Sequence, residues 1–229
     1  MGEMVDMVGL TKFPDPVYKT VQFSSYDRRS SVPGGPSWFA NSDGFGREPQ
    51  PNFEAVLVKP NKHGIGEYLI CDVKAPGAVV RTRTASIRGT VRMYLDDAEE
   101  PIYDGPAGHF FHQPYRRYAE AAGVDEGLFE GTFRQRDACY FPIPFAKRCR
   151  IVWVGSTRNI HFYEVQIRRY AAGTDVVTFQ AKDLETYRPV IERVAGILAD
   201  PHGKWKYASS RTEESIRATI PPQGTEEVL

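Results

Sequence analysis

The chain has 229 residues, enough to bury a sizeable core as one large domain or two small ones, with a single all-β unit favoured. Its 29 Lys and Arg balance 29 Asp and Glu, which argues against a nucleic-acid field over the whole chain and against an acidic partner-binding tail. The 20 Gly and 17 Pro are spread along the sequence and imply many short elements joined by tight turns, while an aromatic share of 12% suits a sandwich core or a sugar-stacking surface equally.

Met1–Tyr18 has weak patterning and reads as an arm that packs late or against a neighbour. Ser24–Pro51 is too rich in Ser, Gly and Pro for regular structure, yet it carries Tyr26, Trp38, Phe39 and Phe45. A long loop that keeps aromatics and charges is more often functional than a linker.

Strand signals follow at Ala55–Lys59, Glu67–Val73 and Ala78–Ala85, separated by turns at Pro60–Gly66 and Ala75–Gly77. Val91, Met93 and Leu95 alternate with Arg92 and Tyr94, the period of a half-buried strand, and the acidic turn Asp96–Pro101 ends it. Pro114–Ala122 has a short helical composition stopped by Gly123. In Asp137–Gly155, Pro142 and Pro144 predict an edge or entry segment over Tyr140–Phe145, and Arg150–Gly155 reads as a buried strand.

Ile160–Tyr170 and Asp175–Gln180 supply further strand signals. Leu184, Tyr187, Val190, Ile191, Val194, Ile197 and Leu198 then fall at helical spacing, with Thr186 as the cap, Pro189 in the first turn and Asp200-Pro201 as the stop. The fold class this implies is all-β, a jelly-roll β-sandwich with one or two peripheral helices. It divides the chain into an N-terminal arm over 1–20, a jelly-roll over 21–182, a helix over 183–201 and a tail over 202–229, with a new strand expected to begin at Glu227-Val228-Leu229.

Cys71, Cys139 and Cys149 lie in apolar runs without CxxC spacing and read as buried reduced thiols. With no charged leader followed by an apolar core in residues 1–20 and no apolar run of membrane length, a cytoplasmic location and no membrane partner are expected, an exported form requiring a leader outside this sequence. His109 and His112 give an HxxH spacing on what reads as an irregular loop, with no third ligand near, so no metal is expected; His161 reads as structural. Lys147, Arg148, Arg150, Arg81, Arg83, Arg88 and Arg92 form a basic series that reads as strand solvent faces, or as pairs to Asp72, Asp96 or Asp97 across strands, and no nucleic-acid partner is expected. No GxSxG, P-loop, GxGxxG or HExxH pattern is present, so no cofactor is implied.

FSSYDR (Phe23–Arg28), the Gly66–Ala85 run, the Val91–Phe111 run and PIPFAKR (Pro142–Arg148) together resemble, over residues 17–200, the amino-terminal half of the DUF2961 proteins, which include glycoside hydrolase family 172. The resemblance implies two jelly-roll modules, of which this chain covers the first, and a retaining reaction on α-linked fructofuranosides or arabinofuranosides. It also implies a homo-oligomer, a trimer or a hexamer, with the SSYDR loop helping to build the sugar pocket partly across a subunit boundary, and catalytic carboxylates in the second module. On that reading the chain is a catalytically incomplete first module.

Glycoside hydrolysis needs two carboxyl groups flanking the bond. Asp27, Asp43, Glu48 and Glu54 lie in or near the long loop, and Asp96, Asp97 and Asp104 in or beside the acidic turn, where Asp96–Glu100 reads as a solvated turn. Asp27 and Asp43 are the catalytic candidates within this chain. For a carbohydrate substrate, Tyr26 or Trp38 can stack on a furanose ring while Asp27, Arg28 and Asp43 hydrogen-bond its hydroxyls. The other reading of the loop is structural, with Asp27 and Arg28 held by internal hydrogen bonds, and the other reading of the protein is a non-catalytic carbohydrate-binding or assembly jelly-roll.

Overall fold

The computed structural model describes residues 1–40, 52–130 and 133–204, together with 222 and 224. Eleven strands among them form two antiparallel sheets. The first sheet is built from β1 (Tyr18–Ser24), β11 (Glu164–Tyr170), β4 (Gly77–Arg83), β8 (Ala138–Cys139) and β7 (Arg134–Gln135) in that order, with β9 (Ile143–Phe145) also pairing to β4. The second runs β2 (Ala55–Val58), β3 (Ile65–Val73), β10 (Cys149–Ser156), β5 (Thr90–Leu95) and β6 (Tyr103–Pro106).

The pairs are nested: β1 with β11, β3 with β10, β4 with β8 and β9, and β5 with β6. Folding a long hairpin of four such pairs into two facing sheets generates a jelly-roll, so the expected fold class stands. β10 sits at the centre of its sheet, as its apolar run predicts, and Ile151 and Trp153 are buried. In β5 the alternation places Val91, Met93 and Leu95 in the core. Gly89 precedes β5 with φ 92, where a Cβ would lie 2.3 Å from the Val154 carbonyl, so the strands approach closely only because no side chain is present.

Two helices stand between β6 and β7. α1 (Ala107–His112) touches strands of both sheets, β4 and β8 on one side and β5 and β6 on the other, and so closes an open end of the sandwich. α2 (Tyr115–Ala122) stops at Gly123, whose φ of 65 and amide bonds to the Ala119 and Glu120 carbonyls make the expected C-cap. Their aromatics are core rather than periphery: Phe110, Phe111, Tyr115 and Tyr118 are buried, and Tyr118 meets Phe179 edge-on at 4.9 Å. The expected one or two peripheral helices are thus five short ones among the described residues, of which α1 and α2 carry part of the core.

Three local expectations change. Residues 175–180 form no strand; the segment is held by the Phe179 amide on the Pro144 carbonyl and by burial of the Phe179 ring, because β9 already occupies that side of β4. The C-terminal helix breaks into α3 (Asp183–Thr186), α4 (Arg188–Ala199) and α5 (Pro201–Lys204), and Thr186 donates its hydroxyl to the Lys182 carbonyl instead of capping α4. Pro189 does stand in the first turn of α4, and Asp200 follows its end. The arm packs Val5 into the core and places Glu3 in an ion pair with Arg168, and the new strand expected at 227–229 lies outside the described residues.

Candidate functional site

The loop that follows β1 leaves the sheet at Ser24 and is clamped to the sandwich at both described ends. Ser25 and Tyr163 exchange hydrogen bonds, amide to carbonyl at 3.1 Å and amide to hydroxyl at 3.2 Å. At the far end the Tyr163 hydroxyl donates to the Asn52 carbonyl at 2.9 Å, and Phe53 stacks on Tyr68, Trp153 and Tyr163 with centroids 4.6, 5.5 and 5.3 Å apart. Phe53 therefore anchors the return of the loop on the central strand β10. No spacing in the sequence singled it out.

Near the first clamp, Asp27, Arg28 and Arg29 find polar partners. Asp27 is buried, 6% exposed, and its carboxylate accepts from the Arg29 amide and Nε at 3.0 Å and from Nη2 at 2.5 Å. That hydrogen bonding raises the Arg29 guanidinium above its ordinary pKa. Arg28 turns the other way, donating to the Ser24 and Tyr26 carbonyls at 2.9 and 3.1 Å and to Glu54 at 2.8 Å. Its guanidinium lies 3.8 Å over the Tyr26 ring. Asp27 thus pairs with Arg29, and Arg28 with Glu54; the internal hydrogen bonds expected for the loop exist with different partners, because alternate residues of the turn face opposite ways.

Tyr26 remains 52% exposed and Trp38 38%. Arg28 covers one face of Tyr26, leaving an oriented aromatic surface toward solvent, and the Trp38 carbonyl is fixed by the Ser30 hydroxyl. Asp43, Glu48 and Phe45 lie outside the described residues.

The acidic turn is not merely solvated. Asp96 adopts φ 56, and its carboxylate accepts from the Lys147 and Arg148 amides at 2.6 and 3.2 Å and from the Thr178 hydroxyl. Burial works against ionisation, but the hydrogen bonds from Thr178 and from the amides of Lys147, Arg148 and Ala146 outweigh it and hold this carboxyl below its ordinary range. Asp72 is held low chiefly by the two-pronged hydrogen bond from Arg148, at 2.6 Å on each oxygen. Glu126 is lowered by Arg116. A general acid requires the opposite shift, so none of the three is tuned to act as one.

The basic series is largely spent on pairing: Arg148 with Asp72, Lys147 with Asp97, Arg81 and Arg83 with Glu164, and Arg92 with Glu67 and Asp104. Arg150 lies 5.6 Å over Tyr94. His109 and His112 stand on α1 rather than on an irregular loop, and His112 Nε2 lies 3.2 Å from the Thr84 carbonyl. His161 lies just before β11, its amide on the Ser86 carbonyl. Among the described residues no group of three or more His, Cys, Asp or Glu is placed to hold a metal ion.

All three cysteines are buried and unpaired, as the sequence implies. Burial pushes the Cys139 thiol up to about 12 and Cys71 well above its ordinary value. Among the described residues no helix is long and apolar enough to cross a membrane.

The nested strand pairs define a jelly-roll β-sandwich module with an aromatic loop clamped to its edge. Residues 16–187 match the GH172 first beta-sandwich domain, so the chain belongs to glycoside hydrolase family 172 through its amino-terminal module. No curated protein matches the chain.

Proposed function

We propose that this chain is the first module of a glycoside hydrolase acting on α-linked furanosides, fructofuranosides or arabinofuranosides, and that it contributes the substrate-facing loop Ser24–Gly46. The observation that carries this is the Tyr26 ring, exposed on one face and braced on the other by Arg28, inside a segment of a family 172 sandwich. An aromatic face held in this way suits the apolar face of a sugar ring, and the adjoining ion pairs suit its hydroxyls.

The acid and nucleophile are supplied from outside the described sandwich, by a second module or a partner chain. Two features support this: no resolved carboxyl shift runs upward as a general acid needs, and the carboxylates of Asp27, Asp72, Asp96 and Glu126 are already engaged by Arg29, by Arg148, by Thr178 with the Lys147 and Arg148 amides, and by Arg116. In the retaining reaction one carboxyl protonates the departing glycosidic oxygen while the other attacks the anomeric carbon, and water then cleaves the glycosyl ester. The reading includes a homo-oligomer, a trimer or hexamer, in the cytoplasm, where buried thiols stay reduced.

The test is hydrolysis of para-nitrophenyl α-arabinofuranoside and of difructose by the purified chain, alongside NMR titration of the same sugars. Sugar-dependent shifts that vanish in Tyr26→Ala, without turnover, are expected. Turnover abolished by Asp27→Asn would place the chemistry in this chain, and absence of both binding and turnover would favour an assembly module.

A further inference from the structure

A cavity of about 470 Å³ opens where the end of β6 meets α1 and α2, and none of its lining residues belongs to the loop that carries Tyr26. Two of its charges are spent on each other, because Arg116 grips the Glu126 carboxylate with Nε and with Nη2, the latter at 2.5 Å. The other polar groups of the lining stay open.

Gln113, between the two helices, is only 7% exposed, and its side-chain oxygen accepts from Arg134 Nη1 at 3.0 Å. A guanidinium can only donate, so that bond fixes the amide with its NH2 group turned away from Arg134. Gln113 lines the cavity, and its Nε2 has no hydrogen-bond partner among the described residues. A donor this deeply buried and left open costs stability that a ligand oxygen would recover.

Arg117 stands beside it. Its guanidinium lies 6.0 Å from the centre of the Tyr103 ring and is tied by Nη1 to the Asp104 carbonyl at 2.5 Å, while Nε and Nη2 have no partner among the described residues. The His109 ring, also in the lining, is equally without a partner there. α2 begins with no side-chain cap and no acidic residue in its first turn, so the positive end of its dipole is uncompensated on this side. Glu120, in the lining about one turn further along α2, has no ion-pair partner among the described residues.

We propose that this cavity binds a small sugar phosphate, its phosphate held by Gln113, Arg117 and His109 and a sugar hydroxyl donating to Glu120. Three donors from separate parts of the chain suit the several oxygens of a tetrahedral anion, and charge-assisted bonds of this kind are the strong ones. The volume falls within the range of small-ligand pockets. With Arg116 neutralising Glu126, the charge left at the α2 start is positive, and the one open carboxylate lies where the polyol would extend. The site is independent of the furanoside reading of the Tyr26 loop.

Isothermal titration calorimetry of the purified chain with ribose 5-phosphate, inorganic phosphate and ribose tests this. Saturable binding of ribose 5-phosphate is expected, at least about tenfold tighter than that of either part alone. Gln113→Glu, which still accepts from Arg134 but replaces the open donor by an oxygen, and the surface change Arg117→Ala are each expected to weaken it about tenfold or more at unchanged melting temperature. Glu120→Ala is expected to weaken ribose 5-phosphate without weakening inorganic phosphate. Tyr26→Ala is expected to leave this binding intact, which separates failure of this site from failure of the loop. Absence of saturable binding, ribose binding as tightly as its phosphate, or affinity indifferent to both Gln113→Glu and Arg117→Ala would overturn the proposal.

Discussion

The sandwich around β10 and the loop between Ser25 and Asn52 use the same residue types in opposite ways. In the sandwich, Trp153 is fully buried, donates Nε1 to the Arg88 carbonyl at 2.7 Å and faces Phe53, contacts that join distant parts of the chain. In the loop, Tyr26 stays exposed, and Asp27 and Arg28 find most of their partners within four residues. Rigidity in the first region comes from topology and in the second from local hydrogen bonds, so a side chain in the loop can be removed without unfolding the module.

The sharpest break in that contrast is Trp153→Ala, which removes the fully buried ring beneath Phe53 and Tyr68 and is expected to lower unfolding stability by about 3–5 kcal/mol in urea melts. Asp96→Ala, which frees the turn joining β5, the 146–148 segment and Thr178, is expected to cost about 1–2 kcal/mol, limited because the carboxylate is partly solvated.

Acid should expose the same anchors. Asp72 and Asp96 titrate lower folded than unfolded, so their contribution is present above the unfolded value of about 3.9 and is lost as the pH falls through the lower folded values. Melting temperature measured against pH is expected to hold above about pH 5 and fall below about pH 4, more shallowly in Asp96→Asn.

In the loop the expected effects on stability are smaller. Arg28→Ala removes an ion pair that is only part-buried, about 0–1 kcal/mol, yet it unbraces Tyr26 and is expected to weaken sugar binding about tenfold, equivalent to ~1.4 kcal/mol. Tyr26→Ala should leave stability within about 0.5 kcal/mol while abolishing the sugar-dependent NMR shifts. A loss of stability there as large as that of Trp153→Ala would end the distinction between the two regions.

Strand periodicity made β5 legible, and an unbroken apolar run made β10 so, because burial of one or both faces leaves its mark residue by residue. The Gly123 stop was legible for the same local reason. α1 was not: six residues, Ala107–His112, are too few to show a helical period, and its place was set by the open end it fills. In the loop, the residue types were legible and the pairing was not. Whether Asp27 meets Arg28 or Arg29 depends on which way consecutive side chains leave the turn, and the register of a turn is absent from a list of charges.

The nesting of the strands also sets the order in which the molecule can assemble. Gln22 on β1 and Gln166 on β11, 144 positions apart in the chain, hydrogen-bond to each other, so β1 lacks its sheet partner during synthesis until β11 has been made. Long-range pairing of this kind places folding in the millisecond-to-second range typical of all-β domains. Until Tyr170 has been made, the first strand lacks its partner, and an unpaired strand edge of this kind is prone to aggregate.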